Sequence, residues 1–342
     1  MIEHTVDFQE KLKGLLQYAK SKKNTLEYTE ISDYFGDMEL DVEHLDKIME
    51  TLENHNVDIL RIMDDDEGLL LTEDEEMLLD EEVELVYIAT PHSHHYECAM
   101  LCLKYKKPVL CEKAFMANAA QTKEVLEAFE RENIFITEAI WTRYLPSRVM
   151  VEEAIAAGEI GQVTMASGNL GYELTKIERL MKPELAGGAL LDVGVYPLNF
   201  ISMVLGTEVE EIITSCTKTE TGVDAQNATI LKYKNGTMGI AHSSLLSGTE
   251  QMGVVYGTKG YLIAEEINNI TKIKVYDSNR NLKWERKVPE QITGFEDEVR
   301  ACVLAVQEGR LECHEMPHAE TLRMMELMDE LRRRWGVKYP FE

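Results

Sequence analysis

Apolar side chains at the start of the chain recur at the spacing of amphipathic helices. Over residues 6–20 they stand three and four positions apart, and the same spacing returns in Thr25–Phe35 and from Asp41 to Leu52. Asp41 is also a residue type that caps helix N-termini. The pattern predicts a small N-terminal α-helical bundle over residues 1–63, which contributes no strand to a parallel sheet.

Acidic residues are concentrated in the first quarter of the chain. Residues 1–82 contain 25 Asp and Glu against 7 Lys and Arg, a net charge of −18, whereas the whole chain carries −27. Like charges as dense as those of residues 64–82 are typical of a solvated, acidic linker. A domain of this charge is not expected to bind nucleic acid directly, because neutralising phosphates requires basic residues. It is better suited to occupy a basic groove as a polyanion.

The pattern changes to alternating strands and helices after Val83. Leu85–Ala89 is a continuous apolar run that ends at Thr90-Pro91, as in a buried parallel strand that opens into a loop. Two further strands are predicted over 108–111 and 134–138, with helices over 96–105 and 118–130 between the strands. Alternation of this kind predicts a Rossmann-like parallel sheet over residues 83–146.

The remainder of the chain has mostly the period of β-strands. After a helix predicted over 148–157, seven strands are predicted over 163–172, 211–219, 225–233, 238–244, 251–256, 261–265 and 273–276. Asn235-Gly236 lies between two of them and is a strong hairpin signal. With a closing helix over Ala319–Arg334, residues 147–342 are predicted to form an α+β domain with an open antiparallel sheet. The predicted fold class of the whole chain is therefore α/β plus α+β.

Composition places the chain among ordinary globular proteins. Its hydrophobic content is 44%, no apolar run approaches the ~20 residues that span a bilayer, and the first residues lack a signal-peptide layout. The six cysteines form no C-x-x-C pair, which is usual in a reducing compartment. A cytoplasmic protein without membrane contact is therefore expected. No metal site is predicted, because His92, His94 and His95 crowd one loop and no second cluster of ligands follows.

Reactive polar residues gather where the predicted parallel strands end. The loops are Thr90–His95, Cys111–Phe115 and Glu138–Tyr144, and ligands of open α/β sheets bind at this edge. Farther along, Asp192 and Tyr196 stand four residues apart, so that a helix places both on one face. A carboxylate and a phenol in this arrangement can reach the same substrate.

These motifs, in this order, resemble the Gfo/Idh/MocA family of NAD(P)-dependent oxidoreductases over residues 77–342. The branch that they resemble most contains glucose-fructose oxidoreductase and dihydrodiol or xylose dehydrogenases. The resemblance rests on Glu112-Lys113-Ala114, where Ala114 replaces the proline of the family's E-K-P motif, on the D-x-G-x-Y motif from Asp192 to Tyr196, and on the C-terminal run from Gly294. It implies an enzyme that acts on CH–OH groups with NAD or NADP as cofactor.

The resemblance also implies site residues and a mechanism. Lys113, Asp192 and Tyr196 are expected to be catalytic. The nicotinamide and substrate pocket is expected to be lined by Thr90, Pro91, His92, His95, Glu112, Lys113, Trp141 and Arg143. A hydride passes between the nicotinamide and the carbinol carbon of a sugar or diol, while Tyr196 takes the hydroxyl proton and Asp192 orients the hydroxyl. The cation of Lys113 should lower the pKa of the phenol towards working pH. A homodimer through the open sheet, as in many family members, is also expected.

The phosphate site of the cofactor is missing from the sequence. A dinucleotide fold opens with a strand, a G-x-G-x-x-G turn and a helix, because only glycine lets the backbone approach the pyrophosphate. Before Gly158 the chain has only Gly14, Gly36 and Gly68, and no G-x-G occurs anywhere. Residues 83–146 are therefore interpreted as a partial Rossmann-like domain with an exposed sheet edge, and NAD(P) binding is predicted to be weak or absent.

Residues 6–76 resemble region 1.1 of bacterial primary sigma factors. The resemblance rests on the runs KLKGLLQYAKSKKNTLEYTEISDYF and MELDVEHLDKIMETLENHNVDIL and on the acidic tail from Asp64. It implies an acidic helical module that contacts RNA polymerase. Two alternatives to an active oxidoreductase stay open at this point. One is a non-enzymatic fusion of this module to a degenerate oxidoreductase scaffold, and the other is a recombined or constructed chimaera without a biological function.

Overall fold

The structure is a computed structural model that describes residues 2–22, 25–27, 31, 34, 35, 47, 48, 51, 52, 57–60 and 72–342. The chain divides into two compact units, of which unit 1 is Met1–Leu71 and unit 2 is Thr72–Glu342. Unit 2 therefore contains all of the predicted site residues.

Unit 1 is built from one amphipathic helix, further helical residues and a pair of short strands. Helix α1 spans Ile2–Ser21, and strands β1 (Thr25–Glu27) and β2 (Asp58–Leu60) pair in parallel. The buried core of the unit consists of Phe8, Leu12, Leu15, Ala19, Leu26, Ile31, Phe35, Ile48, Leu52 and Val57. The apolar stripe predicted over residues 6–20 is therefore confirmed as the buried face of α1.

The helix predicted from Thr25 is wrong over its first three residues, and the predicted all-helical bundle is wrong where β1 and β2 pair as a separate two-stranded sheet. Leu26 lies opposite Ile59, a partner more than thirty residues away that local spacing cannot reveal. Thr25 is also β-branched, which favours extended backbone. Of the predicted third helix, residues 47, 48, 51 and 52 are helical. The rest of both predicted helices falls largely outside the described residues.

The end of the predicted acidic linker is a short helix of unit 2. Helix α2 (Glu73–Leu79) begins with a capping box, in which Glu75 N donates to Thr72 Oγ1 (3.2 Å) and Thr72 N donates to Glu75 Oε2 (3.3 Å). Leu78 is buried in the core beside the parallel sheet. A solvated linker is therefore the wrong description of residues 72–79, because a cap and a buried side chain anchor them. Residues 64–71 lie outside the described part of the chain.

The parallel sheet predicted for residues 83–146 is present. Strands β3 (Val86–Ile88), β4 (Val109–Glu112) and β5 (Ile136–Ala139) pair in that order, all parallel. Helices α3 (His95–Lys104) and α4 (Ala119–Glu132) connect them. Among the described residues β3 pairs on one side only, so it forms an edge of this sheet.

An eight-stranded sheet forms the second layer of unit 2. In chain order its strands are β6 (Val163–Gly171), β7 (Val209–Lys218), β8 (Asp224–Tyr233), β9 (Met238–Ser244), β10 (Met252–Gly257), β11 (Gly260–Glu265), β12 (Lys272–Asp277) and β13 (Leu282–Lys287). Their order across the sheet is β13-β12-β11-β10-β6-β9-β8-β7. All seven predicted strands are present. The eighth, β13, is a charged edge strand that hydrophobic periodicity does not detect.

The prediction of a purely antiparallel sheet is wrong at one position, because β6 and β9 run parallel. Between them the chain crosses one face of the sheet as a helix and returns through the antiparallel pair of β7 and β8. Crossover connections of this kind produce parallel neighbours. The pattern of a single strand carries no information about the direction of its partner.

The remaining helices of unit 2 are α5 (Pro146–Ala156), α6 (Glu178–Met181), α7 (Val195–Leu205), α8 (Phe295–Gln307) and α9 (His318–Trp335). A π-helical turn, Leu190–Gly194, continues directly into α7, which packs on the eight-stranded sheet. Gly168 permits this approach, since a Cβ there would lie 3.1 Å from Pro197 Cβ. Pro183–Leu205 has the length and hydropathy of a membrane-spanning helix, which the sequence prediction excluded. However, 83% of its most apolar window is buried, as in the core helix of a globular domain.

Candidate active site

Lys113 lies at the centre of a group of predicted site residues. It directly follows β4, and its side chain is only 15% exposed. Its Nζ donates a hydrogen bond to the backbone oxygen of Asp192 (2.8 Å) and lies 3.6 Å from Asp192 Oδ1. The same nitrogen lies 5.2 Å from the ring centroid of Tyr196. The structure therefore brings these three side chains together.

The helical turn that carries this carboxylate and phenol is fixed at its N-terminal end by a buried acid. Leu190 N donates to Asp224 Oδ2 (2.8 Å), which also accepts from Asn227 Nδ2 (2.9 Å). Gly188 has φ +115°, and a Cβ there would lie 2.3 Å from Asp224 Oδ1. Burial raises the pKa of Asp224 to about 7. A carboxyl group at a helix N-terminus accepts from N–H groups that have no partner within the helix, so Asp224 positions the start of this helix.

Opposite charges keep both members of the Lys113–Asp192 pair ionised. Burial opposes the charge of Asp192, but the cations of Lys113 and Arg179 outweigh it and lower the pKa of the carboxyl. Burial likewise opposes the charge of Lys113, yet Tyr196 and the surrounding carboxylates raise the pKa of the ammonium above its ordinary value. The pair therefore consists of a cation and an anion at physiological pH.

Tyr196 is oriented by a hydrogen bond, and it is a weaker acid than an ordinary phenol. Trp141 Nε1 donates to Tyr196 OH (3.2 Å). Burial raises the pKa of Tyr196 and outweighs the lowering by Lys113 and Trp141. The predicted net lowering is therefore wrong for the protein alone, although Lys113 acts in the predicted direction. Lys113, Trp141, Asp192 and Tyr196 form one set of contacts, the lysine–tyrosine cluster.

His92 and His95 connect the loop after β3 to neighbouring segments. His92 Nδ1 lies 3.1 Å from Ala186 O, His95 Nε2 lies 2.8 Å from Thr90 O, and His95 Nδ1 lies 3.1 Å from Ala114 O. Burial lowers the pKa of both rings, that of His92 to about 3. Both side chains are therefore neutral and hold loops together. In the part of the chain that the structure describes, no three His, Cys, Asp or Glu side chains are placed to hold a metal ion.

Three other predicted cofactor contacts lie at the carboxyl ends of β3 and β4. Thr90 is exposed and Pro91 is half-buried in the loop after β3. Glu112, the last residue of β4, accepts from Lys113 N at Oε2 (3.1 Å) and from Tyr87 OH at Oε1. This is the edge where ligands of open α/β sheets bind.

Arg143 takes part in a separate buried network. Its Nε donates to Asn199 Oδ1 (2.6 Å), and its Nη2 forms an ion pair with Glu320. Glu320 also accepts from Ser202 Oγ (2.6 Å) and pairs with Arg323. The structure does not bring this guanidinium to the lysine–tyrosine cluster, because these partners occupy it.

Two side chains of the site have no local sequence signal. Arg179 Nη1 and Nη2 both lie 3.1 Å from Asp192 Oδ1. Phe295 stacks on Trp141, with ring centroids 4.7 Å apart. Arg179 belongs to a segment of short turns without hydrophobic periodicity, and Phe295 follows Trp141 by more than 150 residues. Only the fold brings them to the site.

The residues present fit one end of a dinucleotide and not the other. At the nicotinamide end, the lysine–tyrosine cluster offers a cation, a carboxylate and a phenol beside the strand ends. A pyrophosphate needs a glycine turn that opens onto the N-terminus of a helix. Before Gly158 the structure describes a single glycine, Gly14, which lies inside α1. Among the described residues, the pyrophosphate therefore lacks its usual site.

Two family models match the chain over most of its length. The model described as "Oxidoreductase family, NAD-binding Rossmann fold" matches residues 38–139, and the model described as "GFO/IDH/MocA C-terminal domain" matches residues 149–263. The first match begins upstream of Val83, inside the segment that resembles sigma region 1.1.

Similar proteins include characterised dehydrogenases. D-xylose 1-dehydrogenase (NADP(+)) of Hypocrea jecorina is 33% identical over 293 residues, which cover 76% of this chain and 75% of that protein. Trans-1,2-dihydrobenzene-1,2-diol dehydrogenase of Mus musculus is 31% identical over 275 residues, covering 76% and 80%. A solved 3-ketoreductase from Actinomadura kijaniata, in complex with NADP and TDP-benzene, shares the fold with a TM-score of 0.70 at 18% identity, over 84% of this chain and 86% of that chain. The chain therefore belongs to the Gfo/Idh/MocA family of oxidoreductases.

Proposed function

We propose that this protein is an NAD(P)-dependent oxidoreductase that transfers a hydride to or from the CH–OH carbon of a sugar or diol. The observation that carries the proposal is the position of the Lys113 ammonium, 2.8 Å from Asp192 O and 5.2 Å from the ring centroid of Tyr196. A cation beside a buried phenol stabilises the phenolate that must form when an alcohol loses its proton. The activities of the xylose and dihydrobenzenediol dehydrogenases named above support this substrate class.

In the oxidation direction, the phenolate of Tyr196 accepts the proton of the substrate hydroxyl. Burial opposes this phenolate, so its formation depends on the charge of Lys113 and the N–H of Trp141. Asp192, which stays ionised, accepts a hydrogen bond from a substrate hydroxyl and so orients the carbinol carbon. A bound nicotinamide would supply the acceptor for the hydride of that carbon. The substrate thus loses one proton and one hydride, and a carbonyl product remains.

We further propose that the affinity for the cofactor is low. The described parallel sheet has three strands, with β3 at its edge. The chain contains no G-x-G, and residues 1–82 carry a net charge of −18. A pyrophosphate is held by backbone N–H groups and repelled by negative charge. The lack of a glycine turn and the negative charge therefore both favour weak binding of the cofactor.

Turnover at high cofactor concentration tests the proposed activity. We expect slow oxidation of D-xylose or of a cyclic trans-diol that requires millimolar NAD(P)+, and we expect Tyr196→Phe to abolish it. Tyr276→Phe, on the eight-stranded sheet, is the matched control and should keep wild-type turnover. Wild-type rates in the Tyr196→Phe variant would contradict the mechanism. Absence of turnover with both substrates would support the non-enzymatic alternative.

We also infer a homodimer through the eight-stranded sheet. Tyr261 and Tyr276 stack with ring centroids 4.9 Å apart, and Tyr256 lies 6.5 Å from Tyr261. All three are half-buried on neighbouring strands, and tyrosines are enriched in protein interfaces. Sedimentation equilibrium at micromolar concentration should give the mass of a dimer, and the mass of a monomer would contradict the inference.

For residues 6–76 we propose a separate role, contact with a basic channel of bacterial RNA polymerase. The buried core of unit 1 and the excess of acidic residues support it. A pull-down should retain polymerase at low salt and release it at high salt, because the attraction is electrostatic. Equal recovery with unit 1 deleted would contradict this role.

A further inference from the structure

Arg179, which the sequence did not predict at the site, makes a direct contact with the proposed catalytic residue Asp192. Both terminal nitrogens of its guanidinium lie 3.1 Å from Asp192 Oδ1. The Arg179 side chain is 44% exposed, whereas that of Asp192 is 9% exposed. The contact is therefore a partly buried ion pair, which solvent screens less than a pair on the surface.

The turn that carries Arg179 is anchored to the rest of the site. Gly188 N donates to Leu180 O (2.9 Å), and Gly187 N donates to Lys182 O (3.0 Å). Leu180 is buried in the core under the eight-stranded sheet. The backbone that follows Arg179 is thus fixed, and the two contacts with Asp192 Oδ1 place the guanidinium beside this carboxylate.

We propose that Arg179 is a positioning residue for proton transfer at Tyr196, a role that rests on the proposed function. The guanidinium of Arg179 compensates the charge of Asp192 Oδ1, so that the carboxylate attracts the Lys113 ammonium less strongly. Lys113 Nζ accordingly lies 3.6 Å from Oδ1, farther away than the two nitrogens of Arg179. The ammonium charge is then available to the phenol ring. Without Arg179, Lys113 should close on Asp192, and Tyr196 should become harder to deprotonate.

The sign of the effect follows from the charges around the pair. Removing Arg179 takes away one cation and leaves the others in place. The pKa of Lys113 should then rise, because Arg179 lowers it in the intact protein. The pKa of Tyr196 should also rise, because the charge of Asp192 is less compensated. The titratable groups that act on Lys113, Asp192 and Tyr196 are these three themselves, Glu112, His92, Arg179 and Tyr87.

A measurement that needs no turnover tests the effect on Lys113. The full-length chain is labelled with a small amine-acylating reagent at a series of pH values, and mass spectrometry follows the peptide that contains Lys113. The pH dependence of the rate gives the pKa, and the plateau gives the accessibility. We expect Arg179→Met to raise this pKa by about half a unit or more. Arg179→Lys should restore most of the wild-type value, and Arg333→Met, a 71% exposed control, should leave it unchanged.

The second measurement is the pH dependence of kcat/KM in the oxidation direction at saturating cofactor. We expect the acidic limb of Arg179→Met to move to higher pH, with kcat/KM lowered about tenfold below that limb and recovered at high pH. A merely structural role would lower the rate equally at all pH values. If the wild type shows no turnover, the proposed function fails, and the labelling result then decides only whether Arg179 controls the pKa of Lys113. An unchanged Lys113 pKa in Arg179→Met overturns the inference in either case.

Discussion

The two ends of the candidate site use glycine and charge in opposite ways. At the lysine–tyrosine cluster, Gly188 adopts φ +115° so that Asp224 can lie against the start of a helix, and each carboxylate has a defined partner. At the pyrophosphate end, which requires a glycine turn before a helix, the chain has no G-x-G, and only three of its 21 glycines precede Gly158. Reactive groups and cofactor affinity therefore depend on different parts of such a site. The reactive groups identify the family, whereas activity needs both these groups and a bound cofactor.

The largest effect should come from removing the cation of the cluster. We expect Lys113→Met to lower turnover at saturating cofactor by roughly 10²- to 10⁴-fold, because a buried phenolate then has no neighbouring positive charge. Lys123→Met is the matched control, since Lys123 is 63% exposed and forms an ion pair with Glu127 on the helix surface. Steady-state kinetics measures both. If Lys113→Met and Lys123→Met are equally active, the cluster is not the reactive end of the site.

The need for glycine at position 188 can be tested by measuring the free energy of unfolding. Gly188→Ala should lower the free energy of unfolding by about 2–3 kcal/mol, because its Cβ would meet Asp224 Oδ1 at 2.3 Å and φ is positive. Gly222→Ala has a comparable positive φ (+94°) with no atom within 4 Å of the added Cβ, so only backbone strain of about 1 kcal/mol applies. Urea unfolding compares them. Equal losses would show that the contact with Asp224 does not matter.

The sequence predicted the parts of the fold that local pattern encodes. The alternation after Val83 gave β3 to β5 and their helices, because buried parallel strands are continuous apolar runs. It could not give the parallel pairing of β6 and β9 or the partner of Leu26, since both depend on contacts distant in sequence. The same holds for the site. Lys113, Asp192 and Tyr196 stand in motifs, whereas Arg179 and Phe295 reach them only through the fold.

Buried acids at the reactive end should make the fold sensitive to alkali. Burial raises the pKa of Glu298 to about 8, with the charge of Glu112 adding to it. The folded-state pKa lies above the unfolded value, so this contribution to stability is lost as pH rises from about 4.5 through about 8. Glu298→Gln does not ionise. Its fall in unfolding free energy between about pH 6 and pH 8.5 should therefore be smaller than that of the wild type by roughly 2.5 kcal/mol.

Denaturant melts at several pH values measure this difference. Glu296→Gln is the control, because the pKa of Glu296 is lowered to about 2. This carboxyl therefore does not titrate over the pH range of the experiment. Parallel pH profiles for the wild type and Glu298→Gln would mean that Glu298 is already ionised in the folded protein.

The smallest effect should come from the hydrogen bond that orients the phenol. Trp141→Phe keeps an aromatic ring against Phe295 but removes the Nε1 donor to Tyr196 OH. The loss of one such bond, about 1 kcal/mol, should lower kcat/KM about fivefold. Trp335→Phe also removes an indole donor, to Thr214 Oγ1 (3.0 Å), away from the cluster, and should keep wild-type kinetics. A larger loss in Trp335→Phe than in Trp141→Phe would mean that general destabilisation causes the effect.

The central proposal is that this chain keeps the reactive end of the family's site but binds the cofactor weakly. Titration of the purified full-length protein with NADH and with NADPH, followed by nucleotide fluorescence, tests it most directly. We predict dissociation constants above roughly 100 µM for both nucleotides. A dissociation constant of a few micromolar for either one would contradict the claim, because residues outside the missing glycine turn would then hold the pyrophosphate.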